Sequence, residues 1–93
     1  MKNMKRWVRV FKILSNINRL KIISLLSGGE IKNVGEIAGL LRISFKNTSR
    51  NLTILENADV LESRGQGGHV YYRLAEDLPA DIRNALHLFV KVK

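Results

Sequence analysis

A chain of 93 residues with one proline sets the expectation of a single domain over residues 1–93, and a hydrophobic share of 45% excludes a disordered tail. With no cysteine it can have neither a disulfide framework nor a thiolate metal site, which fits an intracellular, cytoplasmic protein. Sixteen Lys and Arg against eight Asp and Glu give a net charge of +8 and favour polyanionic partners, nucleic acid ahead of an anionic membrane. No run reaches the roughly 20 apolar residues that span a bilayer, and residues 1–14 lack the unbroken apolar core of a secretory signal.

Residues 3–14 place Met4, Trp7, Val8, Phe11 and Leu14 at helical spacing, with Lys2, Lys5, Arg6, Arg9 and Lys12 on the other side. Ser15 or Asn16 is positioned to cap a second helix with the apolar stripe Ile17, Leu20, Ile23 and Leu26, ended by Gly28-Gly29. Asn33 and Glu36 have the spacing of a capping box at the start of a third helix. Val34, Ile37, Leu40 and Leu41 are its expected buried face. Gly39 inside it costs about 1 kcal/mol relative to Ala, which a close helix–helix contact would explain.

Arg42-Ile43 leads to Ser44, the expected N-cap of a fourth helix over about 45–58. There Thr48, Leu52 and Leu55 point one way, and Lys46, Asn47, Ser49, Arg50 and Thr53 occupy the other faces. Val60–Arg64 and His69–Leu74 alternate as half-buried strands around Gly65-Gln66-Gly67-Gly68, which predicts a β-hairpin with a flexible tip over about 60–74. Asp77 is the expected cap of a last helix over 78–92, with Pro79 in its first turn. Its stripe Ile82, Ala85, Leu86, Phe89 and a second one, Leu88 and Val92, exceed what one face of a small domain requires.

The order helix, helix, short helix, turn, helix, hairpin, helix is that of a mainly α winged helix-turn-helix, with the helix-turn-helix over about 34–58. In such a unit the N-terminal residues of the second helix enter the major groove of duplex DNA. Arg50 can donate two hydrogen bonds to guanine and Asn47 can pair with adenine. Ser49 and Thr53 can reach bases or phosphates, and Lys46 and the helix N-terminus, capped by Ser44, offer phosphate contacts. On the hairpin, Arg64 and His69 flank the glycine loop and Gln66 stands at the tip. Each has a plainer reading as a solvated surface residue or local cap. Tyr71 and Tyr72 read as core and sheet residues, too few for a single-strand stacking surface.

The stretches LSNINRLKIISLL and VGEIAGLLRISFKNTSRNLTILENADVLESRGQGGHVYYRL, from Leu14 to Leu74, resemble the ArsR/SmtB family of winged-helix repressors. The matching motifs are Asn18-Arg19-Leu20, Ser44 with Ser49-Arg50-Asn51-Leu52, and Val70-Tyr71-Tyr72. The resemblance implies a homodimer joined through the first and last helices on an inverted-repeat operator. It also implies groove-facing roles for Lys46, Asn47, Ser49 and Arg50. The surplus apolar residues Met4, Trp7, Val8, Phe11, Leu86, Leu88, Phe89 and Val92 are the expected dimer interface.

Departures matter. Asn51 replaces the usual histidine, and Asp59 stands where the family often has glycine. Asn33 and Gly35 occupy the positions of the metal sensors' Cys-x-Cys. Asp81 and His87 are the sole acid and imidazole at the family's other metal site, and six helical positions put them about 120° apart around the axis. No metal and no cofactor are therefore expected.

Catalysis is a poor fit, because His69 and His87 are isolated and the glycine run lacks the helix that follows a phosphate loop. The main alternative is a winged-helix module that binds protein instead of DNA. A third reading is peripheral membrane binding by residues 2–14, with Trp7 and Phe11 inserted.

Overall fold

The computed structural model describes residues 3–90. The chain forms α1 (Met4–Leu14), α2 (Ile17–Leu26), β1 (Lys32–Asn33), α3 (Val34–Leu41), α4 (Phe45–Asn57), β2 (Leu61–Gln66), β3 (His69–Leu74) and α5 (Ala80–Leu86). This is a winged helix-turn-helix: α3 and α4 are the helical pair and β2–β3 the wing.

Side-chain oxygens start three of the helices, each accepting backbone N–H groups that have no intrahelical partner. Asn16 accepts from Asn18 and Arg19, and Ser44 accepts from Asn47. Asn33 and Glu36 bond reciprocally, closing the expected capping box. Two turns hold non-glycine residues in the left-handed region. Arg42 (φ 56°) ends α3, and the following Ile43 N–H reaches back to the Ala38 carbonyl. Asp59 (φ 63°) ends the turn after α4, at the position where glycine would be easiest.

The core lies where α2, α3, α4 and α5 converge on the base of the wing. Ile22, Ile23, Leu26, Ile37, Leu52, Leu55, Val60, Ile82 and Leu86 are fully buried, and Val10 is the one buried residue of α1. The sheet has the antiparallel order β1-β3-β2, with Lys32 opposite Tyr72 and Leu61 opposite Leu74. β1 was not anticipated.

Several expectations are corrected. The wing strands pair as far as Gln66 and His69, so the loop is Gly67-Gly68 alone, both at positive φ, as a two-residue hairpin turn demands. Leu40 is 59% exposed, and Ile37 and Ala38 form the buried side of α3. A Cβ on Gly39 would meet nothing within 4 Å, so close helix packing does not account for that glycine. Ile17 is exposed at the start of α2. Asp77 does not cap α5: Leu78 is buried, Pro79 remains extended at φ −52° and ψ 139°, and the helix begins at Ala80 without a side-chain cap. The helix also ends early, at Leu86.

Candidate nucleic-acid interface

α4 is anchored by its inner face. Thr48, Leu52 and Leu55 are fully buried, and Thr48 Oγ1 donates to the Ser44 carbonyl at 2.8 Å, so its hydroxyl enters the core satisfied. Burying Leu52 and Leu55 contributes roughly 1.5–3 kcal/mol each, enough to hold a helix whose outer face is polar.

A second anchor is polar. Arg19 of α2 donates from Nη1 to Asn51 Oδ1 at 2.9 Å, from Nε to the Ile13 carbonyl at 2.6 Å and from Nη2 to the Lys12 carbonyl at 3.1 Å. Asn51 Nδ2 donates to Asn47 Oδ1 at 2.8 Å and to the Asn47 carbonyl at 3.1 Å. Asn18 Nδ2 also reaches Asn47 Oδ1, at 3.3 Å. One guanidinium thus ties the C-terminal end of α1 to the middle of α4. Sequence reasoning missed this network because Asn47 and Asn51 were read by polarity alone. The available signal was Asn51, a polar residue one step from Leu52 in the helix that must dock.

The outward face carries the remaining α4 candidates. Lys46, Ser49, Arg50 and Thr53 line one shallow concavity with Phe45 and Ile54. Thr53 Oγ1 donates to the Ser49 carbonyl at 3.0 Å, leaving its oxygen able to accept. Asn47 differs from expectation: its Oδ1 already accepts two hydrogen bonds, so pairing with both groups of an adenine edge would require breaking the network. Ser44 is occupied as the cap.

The wing gathers the others. Arg64, Gln66 and His69 lie on one sheet face with Glu62, Tyr71 and Arg73, lining a second concavity. The His69 and Tyr71 rings meet edge to face at 6.3 Å. Glu62 accepts from Arg73 at 2.9 Å and from the Glu76 N–H at 2.9 Å. That N–H, then Arg73, holds the Glu62 carboxyl below its ordinary range. Ser63 Oγ donates to Glu56, and Tyr72 is buried beside it, so the wing base is fixed to the C-terminal half of α4. Burial, then the Glu56 charge, pushes the Tyr72 phenol up.

Arg6, Lys32 and Arg73 have acidic partners. Among the described residues Lys46, Arg50 and Arg64 are exposed with no acidic partner, as are Lys5, Arg9, Lys12, Lys21, Arg42 and Arg83. What sets the three apart is their place on α4 and on the wing.

Most of the apolar residues expected at a dimer interface are exposed in the single chain. Met4, Trp7, Val8 and Phe11 are exposed along α1, with the Trp7 and Phe11 rings 5.6 Å apart. Leu88 is 85% exposed, and Phe89 is exposed beside it. Leu86 is corrected: it is fully buried in the chain's own core and has no surface to offer. Val92 lies outside the described residues. Arg6 joins the two helices, Nε to Asp81 Oδ2 at 2.7 Å and Nη2 to Oδ1 at 3.2 Å. Asp81 is thus an ion-pair partner. Among the described residues no three His, Cys, Asp or Glu side chains cluster as a metal site, and no helix is long and apolar enough to cross a membrane.

Comparison with known proteins places this geometry. Residues 16–63 match the model of the arsR family of bacterial regulatory proteins. The transcriptional repressor SdpR of Bacillus subtilis is 36% identical over 87% of this chain and 89% of its own length. HlyU from Vibrio cholerae superposes with a TM-score of 0.77 at 25% identity, over 94% of this chain and 90% of that one. The homodimeric winged helix-turn-helix DNA-binding domain of Mb0332 from Mycobacterium bovis, a fragment, gives 0.74 at 30% identity, over 91% and 75%. Curated relatives differ in size, and the chain spans from 89% to 29% of their lengths. With a family model covering half the chain, a relative of nearly equal length and the same fold, the chain belongs to the ArsR family of bacterial regulatory proteins, a family of regulators and not of enzymes.

Proposed function

We propose that this protein is a homodimeric transcriptional repressor that binds inverted-repeat sites in duplex DNA. The observation that carries this reading is the two-sidedness of α4: Thr48, Leu52 and Leu55 fill the core while Lys46, Ser49, Arg50 and Thr53 share one solvent-facing concavity. A major groove about 12 Å wide admits such a helix. Arg50 reads a guanine edge, and Lys46 and Arg64 neutralise phosphates. Ser49 and Thr53 bond to bases or backbone. Gln66 and His69 lie against the minor groove or the flanking strand. Asn47 serves chiefly to hold α4 in place. A second copy covers Met4, Trp7, Val8, Phe11, Leu88 and Phe89, setting two copies of α4 about 34 Å apart on one side of the duplex. The name of SdpR supports repression, and the dimeric Mb0332 domain supports the assembly.

Fluorescence anisotropy with duplexes selected from a random library tests this. Arg50→Ala is expected to cost about 1–3 kcal/mol and to relax preference at one base pair per half-site. Lys46→Ala is expected to weaken all duplexes alike and to lower the slope of log affinity against log salt by about one. A protein that binds duplex no better than a neutral control at low ionic strength overturns the reading. It would leave the alternative, a module that docks protein, in its place.

A further inference from the structure

The first residue of α4 is a phenylalanine, and it is 63% exposed. Nothing in the fold accounts for it. The core side of the helix begins at Thr48, and Phe45 shares its concavity with Ile54, Lys46, Ser49, Arg50 and Thr53. Two residues of that concavity, Lys46 and Arg50, are cations that have no acidic partner among the described residues.

The major-groove edge of a base pair offers one apolar group, the 5-methyl of thymine, and a phenylalanine ring is among the side chains that contact it. Cations in the same concavity suit the phosphates that flank any such methyl. We propose that Phe45 is a specificity-determining residue that packs against a thymine 5-methyl group in each half-site. This rests on the DNA-binding reading of the same helix, and it adds a preference that Arg50 cannot supply. Hydrogen bonds from Arg50 select guanine, whereas the ring selects a methylated pyrimidine.

The test separates the two readings. The duplex that the wild-type protein selects from a random library is synthesised with deoxyuridine replacing each thymidine in turn, which removes the methyl and leaves base pairing intact. Anisotropy is then measured for the wild type and for Phe45→Ala, with circular dichroism as the check on folding. The expected result is a loss of about fourfold at one thymine of each half-site for the wild type, and no loss there for Phe45→Ala. Indifference of the wild type to every uracil overturns the role of Phe45 while DNA binding stands. A uracil effect that survives Phe45→Ala assigns the methyl to another residue, Ile54 first, and also overturns it. Absence of duplex binding altogether removes the functional reading and this inference together, a result distinct from the other two. Phe45→Leu, which keeps an apolar side chain, is expected to retain part of the uracil effect.

Discussion

α4 and α1 solve their surface problem differently. In α4 leucines fill the core, asparagines bond to Arg19 and Asn18, and cations stand in water, with Phe45 the one strongly exposed apolar side chain. In α1 the buried residue is Val10, yet Met4, Trp7, Val8 and Phe11 stand exposed on other sides, with more apolar surface on Leu88 and Phe89. A helix that is apolar beyond one stripe needs a second partner. One chain thus anchors α4 by two kinds of contact and leaves most of the apolar surface of α1 open. The break between them is Val8→Gln with Phe11→Gln, two exposed positions that leave net charge unchanged. The expected outcome is a halved mass by size-exclusion light scattering, with an unfolding midpoint at low concentration close to that of the dissociated wild type. Duplex affinity falls by a factor on the order of 100 or more, because two linked half-sites become one. An unchanged mass would place the dimer elsewhere or nowhere.

Arg19 joins the two regions, so it sharpens the comparison from the other side. Arg19→Ala leaves the buried Asn51 Oδ1 and the Ile13 carbonyl without the guanidinium donor, while the Lys12 carbonyl keeps Ser15 Oγ. An unsatisfied buried polar group costs about 1–3 kcal/mol, so thermal denaturation is expected to show a midpoint roughly 10 °C lower. Arg19→Lys recovers little, since one ammonium cannot replace a planar fork spread over three acceptors. A loss within about 0.5 kcal/mol, the range of ordinary surface changes, would show that the network follows the packing of α1 and α4 on α2 and does not maintain it.

What could be read from the amino-acid order follows the same division. Local chemistry was legible: the caps at Asn16, Asn33 and Ser44, the buried stripe of α4 and the glycine turn depend on residues a few positions apart. Asp59 stood out through the family resemblance, at a position where glycine is usual, and it does adopt the left-handed conformation. Long-range pairing was not legible. β1 is two residues long and exists because Lys32 and Asn33 meet Tyr72 and Tyr71, some 40 positions on. Arg19 meets Asn51 across 32 positions. Leu86 illustrates a further limit, because periodicity finds an apolar face but cannot say whether the chain's own core or another copy covers it. At the site, Lys46, Ser49, Arg50 and Thr53 came together as expected. Asn47 is half-buried and bonded to Asn51 four positions on and to Asn18 of α2; the first pairing has ordinary helical spacing, and the second, across 29 positions, does not. Phe45 received no role, because the outer face of α4 was searched for polar residues alone.

The smallest effect bears on where the second copy sits. Arg6 and Asp81 are paired between α1 and α5, with side chains 31% and 24% exposed. The Arg6 hydrogen bonds, with a smaller contribution from the Ile82 N–H, hold the Asp81 carboxyl below its ordinary value. A carboxyl whose folded-state pKa is depressed adds stability above its unfolded pKa, and that stability disappears as pH falls through the folded value. Asp81→Asn should therefore lower stability by about 1 kcal/mol or less at about pH 7. The difference from wild type should be smaller at about pH 2, because the carboxylate loses its charge as pH falls through its depressed folded-state value. Glu62, depressed by Glu76 and Arg73, keeps its own acid response in the variant. Urea titrations at the two pH values measure both quantities. Repeating them from dilute to concentrated protein adds the comparison: an ion pair covered by the second copy is less screened, so the Asp81→Asn deficit at neutral pH should widen with concentration. A deficit independent of concentration would put the pair outside the dimer contact and confine that contact to the Met4, Val8 and Phe11 side of α1.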